Sequence, residues 1–185
     1  MHTYCCYKEE LPIELCKGLV NIGRELNKEE AKVFKEGDDI KMQEVRNNKI
    51  AWLENPELTS ILQLYVEKAN EEAGWNFNVN CFETPQVSFY GKGQFYDWHM
   101  DTGVELPSDP FVRKLSVSIT LEDTFKGGDF QVQDWVHPQA SKKFSTLKDM
   151  RKAGSIAVFP SFMFHRVTKV KEGERSSLVC WFRGE

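Results

Sequence analysis

The spacing of apolar residues changes once along this 185-residue chain, near residue 75. Before that point apolar residues recur every three to four positions, which is typical of amphipathic helices. After it they alternate with polar residues, which is typical of strands. Short strands separated by glycine and proline turns favour an antiparallel sandwich or barrel. We therefore expect one α+β, mainly β domain over 1–185, with a mainly helical support at 1–75 and a β core at 76–183.

Two segments carry the helical pattern. Residues 55–73 start with Asn55, which suits an N-cap, and Pro56, which suits the first helical position. Residues 11–25 carry a second apolar stripe. Residues 27–48 are polar, and we expect them to be mostly solvated. Because both helices come early in the chain, they are expected to buttress one sheet.

The strand pattern is clearest in residues 113–121, RKLSVSITL, where apolar and polar side chains alternate. This alternation predicts a half-buried strand whose polar face is either the inner or the outer one. Gly127 and Gly128 predict a turn into 129–133. Residues 176–183 predict the last strand of the core.

Composition argues against several classes of function. The chain is 41% hydrophobic and 28% charged, with a net charge of -4, so nucleic-acid and membrane partners are not expected. No apolar run reaches the roughly 20 residues that a transmembrane helix needs. The five cysteines are odd in number and include no C-x-x-C pair, which favours free thiols in a reducing compartment. We expect a soluble cytoplasmic protein.

Two of the four histidines stand in a setting that suits a metal ion. His99 and Asp101 are two positions apart, so on an extended segment their side chains project to the same side. His165 lies in another strand-like run, FMFHRV. Two histidines and one carboxylate that leave coordination positions open form the facial triad of Fe(II) oxygenases. The same donors also suit zinc, so a zinc hydrolase is an alternative of another class.

A possible carboxylate-binding residue follows the last histidine by ten positions. Arg175 suits a carboxylate because its guanidinium can donate two parallel hydrogen bonds. A dicarboxylate co-substrate that chelates iron at one end needs such a partner at the other. Ser177 shares a strand face with Arg175, and Tyr90 can donate a hydrogen bond to the same co-substrate. A zinc hydrolase leaves Arg175 and Tyr90 unexplained.

Other residues are candidates for the walls of a substrate groove. Tyr96 and Trp98 are two of them, with core packing as the alternative. The loop at 102–112 is expected to act as a mobile lid, and residues 134–146 as a second wall. His137 has no acidic or histidine partner two positions away, so we expect it at the surface.

Several segments resemble the prolyl 4-hydroxylase-like branch of the Fe(II)/2-oxoglutarate dioxygenases. They are YGKGQFYDWHMD (90–101), RKLSVSITL (113–121), GSIAVFPSFMFH (154–165) and ERSSLVCWF (174–182). The segment RNNKIAWL (46–53) is similar to the N-terminal region of PKHD-type hydroxylases. The resemblance covers roughly 76–183 and implies a double-stranded β-helix, or jelly-roll, core.

The resemblance also implies roles for individual residues. His99, Asp101 and His165 match the iron ligands of the family. Arg175 matches the residue that pairs with the distal carboxylate of 2-oxoglutarate, and Tyr90 resembles the co-substrate tyrosine.

The resemblance extends less closely to the substrate pocket. Trp181 matches an aromatic residue that lines the site, and Arg113 joins Tyr96, Trp98 and Trp181 as a candidate substrate contact. Thr120 stands where the oxygen-sensing branch has a tyrosine that touches 2-oxoglutarate. The co-substrate pocket therefore departs from that branch at this position.

The implied activity is hydroxylation of a C–H bond with Fe(II), 2-oxoglutarate and O2, and with ascorbate as reductant. The substrate that the resemblance implies is a prolyl residue in a protein or peptide. One alternative is a small molecule or another non-prolyl substrate. Another is a non-enzymatic, cupin-like binding protein, against which the intact triad and Arg175 argue.

Overall fold

The computed structural model describes residues 3–26, 28–30, 45–102, 110–133 and 144–185. Most of the loops expected at 102–112 and 134–146, including His137, lies outside these ranges. In the described part of the chain, no helix has the length and apolar character needed to cross a membrane.

The helices are those that the sequence predicts. Helix α1 is Ile13–Glu25 and helix α2 is Pro56–Glu72. The N–H of Leu58 donates to Asn55 Oδ1 at 2.9 Å, which confirms Asn55 as the N-cap of α2. A short 3-10 helix, Lys148–Arg151, lies between two core strands, where no helix was expected.

The strands form two facing antiparallel sheets and one small two-stranded sheet. In the described ranges, the large sheet runs in the order β1 (Cys5–Tyr7), β12 (Ile156–Pro160), β8 (Val112–Thr120), β15 (Arg175–Gly184), β6 (Gln86–Tyr90), β4 (Lys49–Trp52), β2 (Glu29–Glu30), and β5 (Cys81–Phe82) also pairs with β15. The small sheet runs in the order β11 (Phe144–Thr146), β10 (Phe130–Gln133), β13 (His165–Val167), β7 (Phe95–His99), β3 (Arg46–Asn47). The two-stranded sheet pairs β9 (Lys126–Gly127) with β14 (Val170–Glu172). This arrangement confirms the predicted α+β, mainly β class and fits the double-stranded β-helix core.

One face of the large sheet packs against the two α-helices. Alternate residues of its strands meet the apolar stripes of α1 and α2 in one core, which includes Leu19, Leu62, Val66, Val87, Val117, Ile119, Ile156 and Leu178. Full burial of one such side chain stabilises the fold by about 1.5–3 kcal/mol. The helices therefore support one sheet, as the sequence predicts.

The opposite face of the large sheet is polar and is also buried. Ser116, Ser118 and Thr120 of β8 are buried there, on the side that does not meet the helices. Residues 115–121 are therefore buried on both faces, so the expectation of a half-buried strand is wrong there, while the inner position of the polar face is one of the two that the sequence allows. The polar face lies between the two sheets, and the candidate site is built there.

The first 75 residues supply strands as well as helices. Strands β1, β2 and β4 join the large sheet, and β3 joins the small one. The expectation that 27–48 is mostly solvated is wrong at Arg46 and Asn48, which are buried; residues 31–44 lie outside the described ranges. Strands of two to four residues are too short to show a hydrophobic period, so the sequence pattern did not reveal them.

Candidate active site

The three predicted metal ligands meet where two strands of the small sheet lie side by side. His99, the last residue of β7, is the cross-strand partner of His165, the first residue of β13, and their ring centroids are 4.1 Å apart. Asp101 follows β7, and its N–H donates to the Ser161 carbonyl at 2.8 Å. One ligand atom from each of His99, Asp101 and His165 lies within 4.8 Å of the others. The fold thus brings together residues 64 or more positions apart in sequence.

Backbone hydrogen bonds orient both imidazole rings. His99 Nδ1 lies 2.7 Å from the Asp97 carbonyl oxygen, and His165 Nδ1 lies 2.9 Å from the Met163 carbonyl oxygen. Because a carbonyl only accepts, each Nδ1 carries the proton and each Nε2 keeps a free lone pair. These Nε2 atoms lie 3.6 and 3.5 Å from the Asp101 carboxylate oxygens. Backbone partners of this kind commonly orient metal-binding histidines.

The carboxylate of Asp101 is suited to a cation. Its Oδ2 atom is buried and accepts no hydrogen bond within the part of the chain that the structure describes. Burial alone would raise the pKa of Asp101, but His165 and His99 outweigh it and hold the pKa well below its ordinary value. A buried ionised carboxylate is costly unless it is paired or binds a metal. The donors therefore fit a divalent ion with two histidine ligands and one carboxylate ligand.

The environment of His165 predicts a pH-dependent stability for the metal-free protein. Burial and His99 lower the pKa of His165 to about 4 against the opposing effect of Asp101, whereas a histidine in the unfolded chain titrates near 6.5. Between these values the unfolded chain binds the proton and the folded chain does not. The free energy of unfolding should therefore fall as the pH is lowered from about 6.5 to about 4, by up to about 1.4 kcal/mol per pH unit.

Urea unfolding of chelator-treated protein between pH 7.5 and 4.5 measures this dependence. The His165→Asn variant lacks the titrating group, so its stability should vary less with pH than that of the wild type. Equal slopes for the two proteins would show that His165 is not held neutral by the fold.

A buried arginine lines the same cavity as the triad. Arg175 begins β15, is 1% exposed, and stands opposite Tyr90 of β6. Its Nη1 donates to Ser177 Oγ at 2.9 Å, whereas Nε and Nη2 have no hydrogen-bond partner among the described residues. Burial lowers the pKa of Arg175, yet a guanidinium remains charged at neutral pH. The unused N–H groups match one carboxylate, which can accept two parallel hydrogen bonds.

Two of the aromatic residues predicted to contact substrate line this cavity. Tyr96 stacks on the His99 ring, with centroids 3.4 Å apart, and Trp181 also lines the cavity. Arg113, the fourth predicted substrate contact, is not among the described residues that line the cavity. Its guanidinium carbon lies 3.9 Å from the centre of the Trp181 ring. Its Nε donates to Glu83 at 2.7 Å, and its Nη1 donates to the main-chain carbonyl of Asp101 at 3.3 Å.

The structure does not bring Trp98 to the cavity. Its ring packs instead against the guanidinium of Arg166, at 4.6 Å, and against Phe144. The pairing of β7 with β13 shifts register between His99 and Tyr96, which marks a β-bulge. A bulge adds one residue to a strand and changes which side chains share a face, so Tyr96, three positions before His99, faces the same cavity.

Sequence reasoning missed four polar residues that line the cavity: Arg46, Gln86, Ser88 and Ser118. The alternation within β6 and β8 contains a usable signal for three of them, because Gln86 and Ser88 alternate with Val87 and Phe89, and Ser118 alternates with Val117 and Ile119. Arg46 carries no such signal. Thr120, predicted to replace a co-substrate tyrosine, donates instead to the Met150 carbonyl at 2.6 Å.

Curated proteins that are similar to this chain are named PKHD-type hydroxylases. A PKHD-type hydroxylase of Shewanella sp. (strain MR-7) is 33% identical over 105 residues, which cover 55% of this chain and 43% of the relative. A PKHD-type hydroxylase of Alteromonas mediterranea is 28% identical over 104 residues, which cover 54% of this chain and 42% of that protein. The matched segment thus spans less than half the length of these curated relatives.

Solved structures share the fold over the whole chain. A Pseudomonas putida prolyl-4-hydroxylase has a TM-score of 0.71 and 23% identity, with 100% of this chain and 94% of that chain covered. The viral collagen prolyl hydroxylase of Paramecium Bursaria Chlorella virus-1 has a TM-score of 0.70 and 21% identity, with coverages of 100% and 97%. At these identities the likeness concerns the fold.

A family model supplies the assignment. The model described as the 2OG-Fe(II) oxygenase superfamily matches residues 85–183, more than half of the chain. The matched range contains His99, Asp101, His165 and Arg175. This match shows that the chain belongs to the 2OG-Fe(II) oxygenase superfamily.

Proposed function

We propose that this member of the superfamily hydroxylates a prolyl residue in a protein or peptide, with Fe(II), 2-oxoglutarate and O2. One observation carries the oxygenase chemistry. The same buried cavity holds a carboxylate oxygen, Asp101 Oδ2, and two guanidinium nitrogens, Nε and Nη2 of Arg175, that have no hydrogen-bond partner among the described residues. The carboxylate oxygen needs a cation and the guanidinium needs a carboxylate. Fe(II) and 2-oxoglutarate, which the family uses, would supply them.

Different residues of this chain would bind Fe(II) and 2-oxoglutarate. His99, Asp101 and His165 would hold Fe(II), and Arg175 with Ser177 would hold the distal carboxylate of 2-oxoglutarate. Tyr90, buried opposite Arg175, would contact the same co-substrate. When bound, Fe(II) and 2-oxoglutarate supply the oxidative decarboxylation that is coupled to C–H hydroxylation.

Aromatic rings keep water away from both binding groups. The rings of Phe159 and Phe130 lie 4.7 and 5.7 Å from the His165 ring. Tyr90 and Phe125 flank the Arg175 guanidinium at 5.5 and 6.0 Å. Charged groups attract each other more strongly where water is excluded, so an anion bound at Arg175 would be held firmly.

The prolyl part of the proposal draws support from the neighbours. The Pseudomonas putida and viral proteins that share the fold are named prolyl hydroxylases, and a third structural neighbour, from Trichoplax adhaerens, is a prolyl hydroxylase in complex with a peptide fragment. Tyr96 and Trp181 line the cavity, and apolar rings of this kind suit the pyrrolidine ring.

We expect the protein to act in the cytoplasm.

A coupled assay tests the proposal. Purified protein is supplied with Fe(II), ascorbate as the proposed reductant, 2-oxoglutarate and O2, and succinate is measured with and without proline-containing peptides. We expect succinate formation that rises with a suitable peptide, and a product 16 Da heavier at proline (the mass of one oxygen atom). The Asp101→Ala variant is the control for adventitious iron.

The outcomes separate the two parts of the proposal. If succinate forms but the added oxygen lies on a residue other than proline, the oxygenase stands and the prolyl substrate is wrong. If the protein binds neither Fe(II) nor 2-oxoglutarate, the oxygenase chemistry itself is contradicted.

Packing around Gly128 yields a further prediction for the co-substrate. Gly128 has a φ of +60°, and a Cβ there would lie 3.0 Å from Arg175 Cδ and 3.1 Å from Val170 Cγ2. We expect Gly128→Ala to displace the Arg175 side chain and raise the Kd for 2-oxoglutarate by about 10-fold or more, since one charge-assisted hydrogen bond contributes about 1.5–3 kcal/mol. Isothermal titration of the metal-loaded protein measures this Kd.

Gly74 offers a matched control for this substitution. Its φ is +67°, so alanine there carries similar backbone strain, but an added Cβ meets nothing within 4 Å. Gly74→Ala should therefore lower stability without changing the Kd for 2-oxoglutarate. Equal Kd values for the two variants would mean that Gly128 does not set the position of Arg175.

A further inference from the structure

A second buried arginine lines the cavity and has no role in the proposed function. Arg46 lies on β3 and is 8% exposed. Its cross-strand partner is Tyr96, and its guanidinium carbon lies 4.5 Å from the centre of the Tyr96 ring. Since Tyr96 stacks on His99, Arg46 is separated from the proposed iron ligand by one aromatic ring.

The terminal nitrogens of Arg46 are available to a ligand. Its Nε donates to Asn48 Oδ1 at 2.7 Å, and Asn48 is itself fully buried. No hydrogen bond or ion pair of Nη1 or Nη2 is present within the described ranges. The side chain is therefore anchored at Nε, with two N–H-bearing nitrogens left for a molecule in the cavity.

Most arginines of the chain have an acidic partner, which Arg46 lacks among the described residues. The sequence contains seven arginines, and five of them make ion pairs with Asp or Glu: Arg24, Arg113, Arg151, Arg166 and Arg183. The two without an acidic partner among the described residues are Arg46 and Arg175. These two are also the buried ones that line the cavity, and buried charges are normally paired.

The charge of the loaded cavity points to the missing partner. Its charged lining residues are Arg46, Arg175 and Asp101, which leaves one net positive charge from the protein. The two positive charges of Fe(II) cancel the two negative charges of 2-oxoglutarate. One positive charge therefore remains when both are bound, and Arg175 already has its proposed partner.

We infer that Arg46 binds a carboxylate of the substrate through Nη1 and Nη2, beside the iron ligands. This inference rests on the proposed function and narrows its substrate class. The hydroxylated C–H bond would lie close to a carboxylate. That group is either the α-carboxylate of a target residue at the chain end, or the side chain of an Asp or Glu next to the target residue.

Binding measurements test this inference. Protein is loaded with Mn(II) and 2-oxoglutarate, and both loading steps are followed by isothermal titration. It is then titrated with three sets of ligands, each of which pairs a carboxylate with a neutral partner. The first set is N-acetyl-L-proline and its amide, and the second is a panel of other N-acetyl amino acids and their amides. The third set is proline peptides with Asp or Glu beside proline, and the same peptides with Asn or Gln there. The first two sets probe an α-carboxylate, and the peptides probe a side-chain carboxylate.

We expect carboxylates in at least one set to bind about 10- to 100-fold more tightly than their neutral partners, as a charge-assisted pair would give. Arg46→Gln should abolish this preference, and Arg46→Lys should keep part of it because the charge remains but the planar fork is lost. Lys49→Gln is the matched control. It removes an exposed positive charge three residues away and should leave the preference unchanged. Thermal unfolding of each variant shows whether it is folded.

The two proposals fail in different ways. If wild-type protein binds Mn(II) and 2-oxoglutarate but prefers no carboxylate in any set, the inference about Arg46 is overturned and the proposed function stands. The inference about Arg46 is also overturned if folded Arg46→Gln or Arg46→Lys keeps the preference for carboxylates at wild-type strength. It is overturned equally if Lys49→Gln abolishes that preference. If Mn(II) and 2-oxoglutarate do not bind to the wild type, the proposed function fails, and the inference fails with it.

Discussion

An Asp101→Ala variant is expected to bind Fe(II) or Mn(II) at least about 100-fold more weakly than the wild-type chain. Loss of a hydrogen-bond partner outside the ligand set costs 10- to 100-fold in metal affinity, so loss of a direct ligand should cost at least as much. Asp101 is also the one carboxylate of the triad, and its Oδ2 atom has no other partner among the described residues. Anaerobic titration with Fe(II) measures the affinity.

Asp97 provides the control for this substitution. It lies within β7, two residues before His99, but its side chain is 52% exposed and lies 3.7 Å from Arg166. Surface ion pairs contribute about 0–1 kcal/mol, so Asp97→Ala should change metal affinity by less than about fivefold. If Asp101→Ala bound metal as tightly as Asp97→Ala, the proposed ligand set would be incorrect.

Replacing Arg175 by methionine is expected to separate stability from function. In the protein without 2-oxoglutarate, Arg175 is a buried cation with two nitrogens that find no hydrogen-bond partner in the described part of the chain. Replacing such a charge by an apolar side chain of similar length is often neutral or stabilising. Binding of 2-oxoglutarate should instead weaken by about 30-fold to more than 1,000-fold, because loss of one partner of a buried charge pair costs 2–5 kcal/mol or more.

Two measurements and one control decide this prediction. Thermal unfolding should show an equal or higher Tm for Arg175→Met, while isothermal titration shows weak binding of 2-oxoglutarate and unchanged binding of metal. Arg151→Met removes a partly exposed arginine that pairs with Asp129 at 2.7 Å, and it should leave both ligands bound normally. Wild-type affinity for 2-oxoglutarate in Arg175→Met would remove Arg175 from the co-substrate site.

Much of the site was predictable because its signals are local. His99 and Asp101 are two residues apart, and so are Arg175 and Ser177, and strand geometry places each pair on one face. The structure confirms that Arg175 Nη1 and Ser177 Oγ are hydrogen-bonded. The helices were predictable for a similar reason, since the N-cap at Asn55 and the apolar stripe of α2 lie within one continuous segment.

The errors arose where a side chain's surroundings depend on distant strands. Residues 113–121 alternate as a half-buried strand would, yet the polar face is buried because the small sheet covers it. Tyr96 and Trp98 were both expected at the groove, but the bulge in β7 places only Tyr96 on the same side as His99. Arg46 stands in a strand of two residues, which has no period to detect.

The sequence by itself determined the change from helices to strands, the chemical types of the candidate metal donors and the presence of an arginine suited to a carboxylate, because each depends on neighbouring residues. Only the tertiary structure decided that His165 meets His99, since a cross-strand pairing joins them over 66 positions. Only the tertiary structure also revealed that Arg46 lies in the cavity without an acidic partner among the described residues. Its burial comes from pairing with β7, and no local pattern encodes that contact.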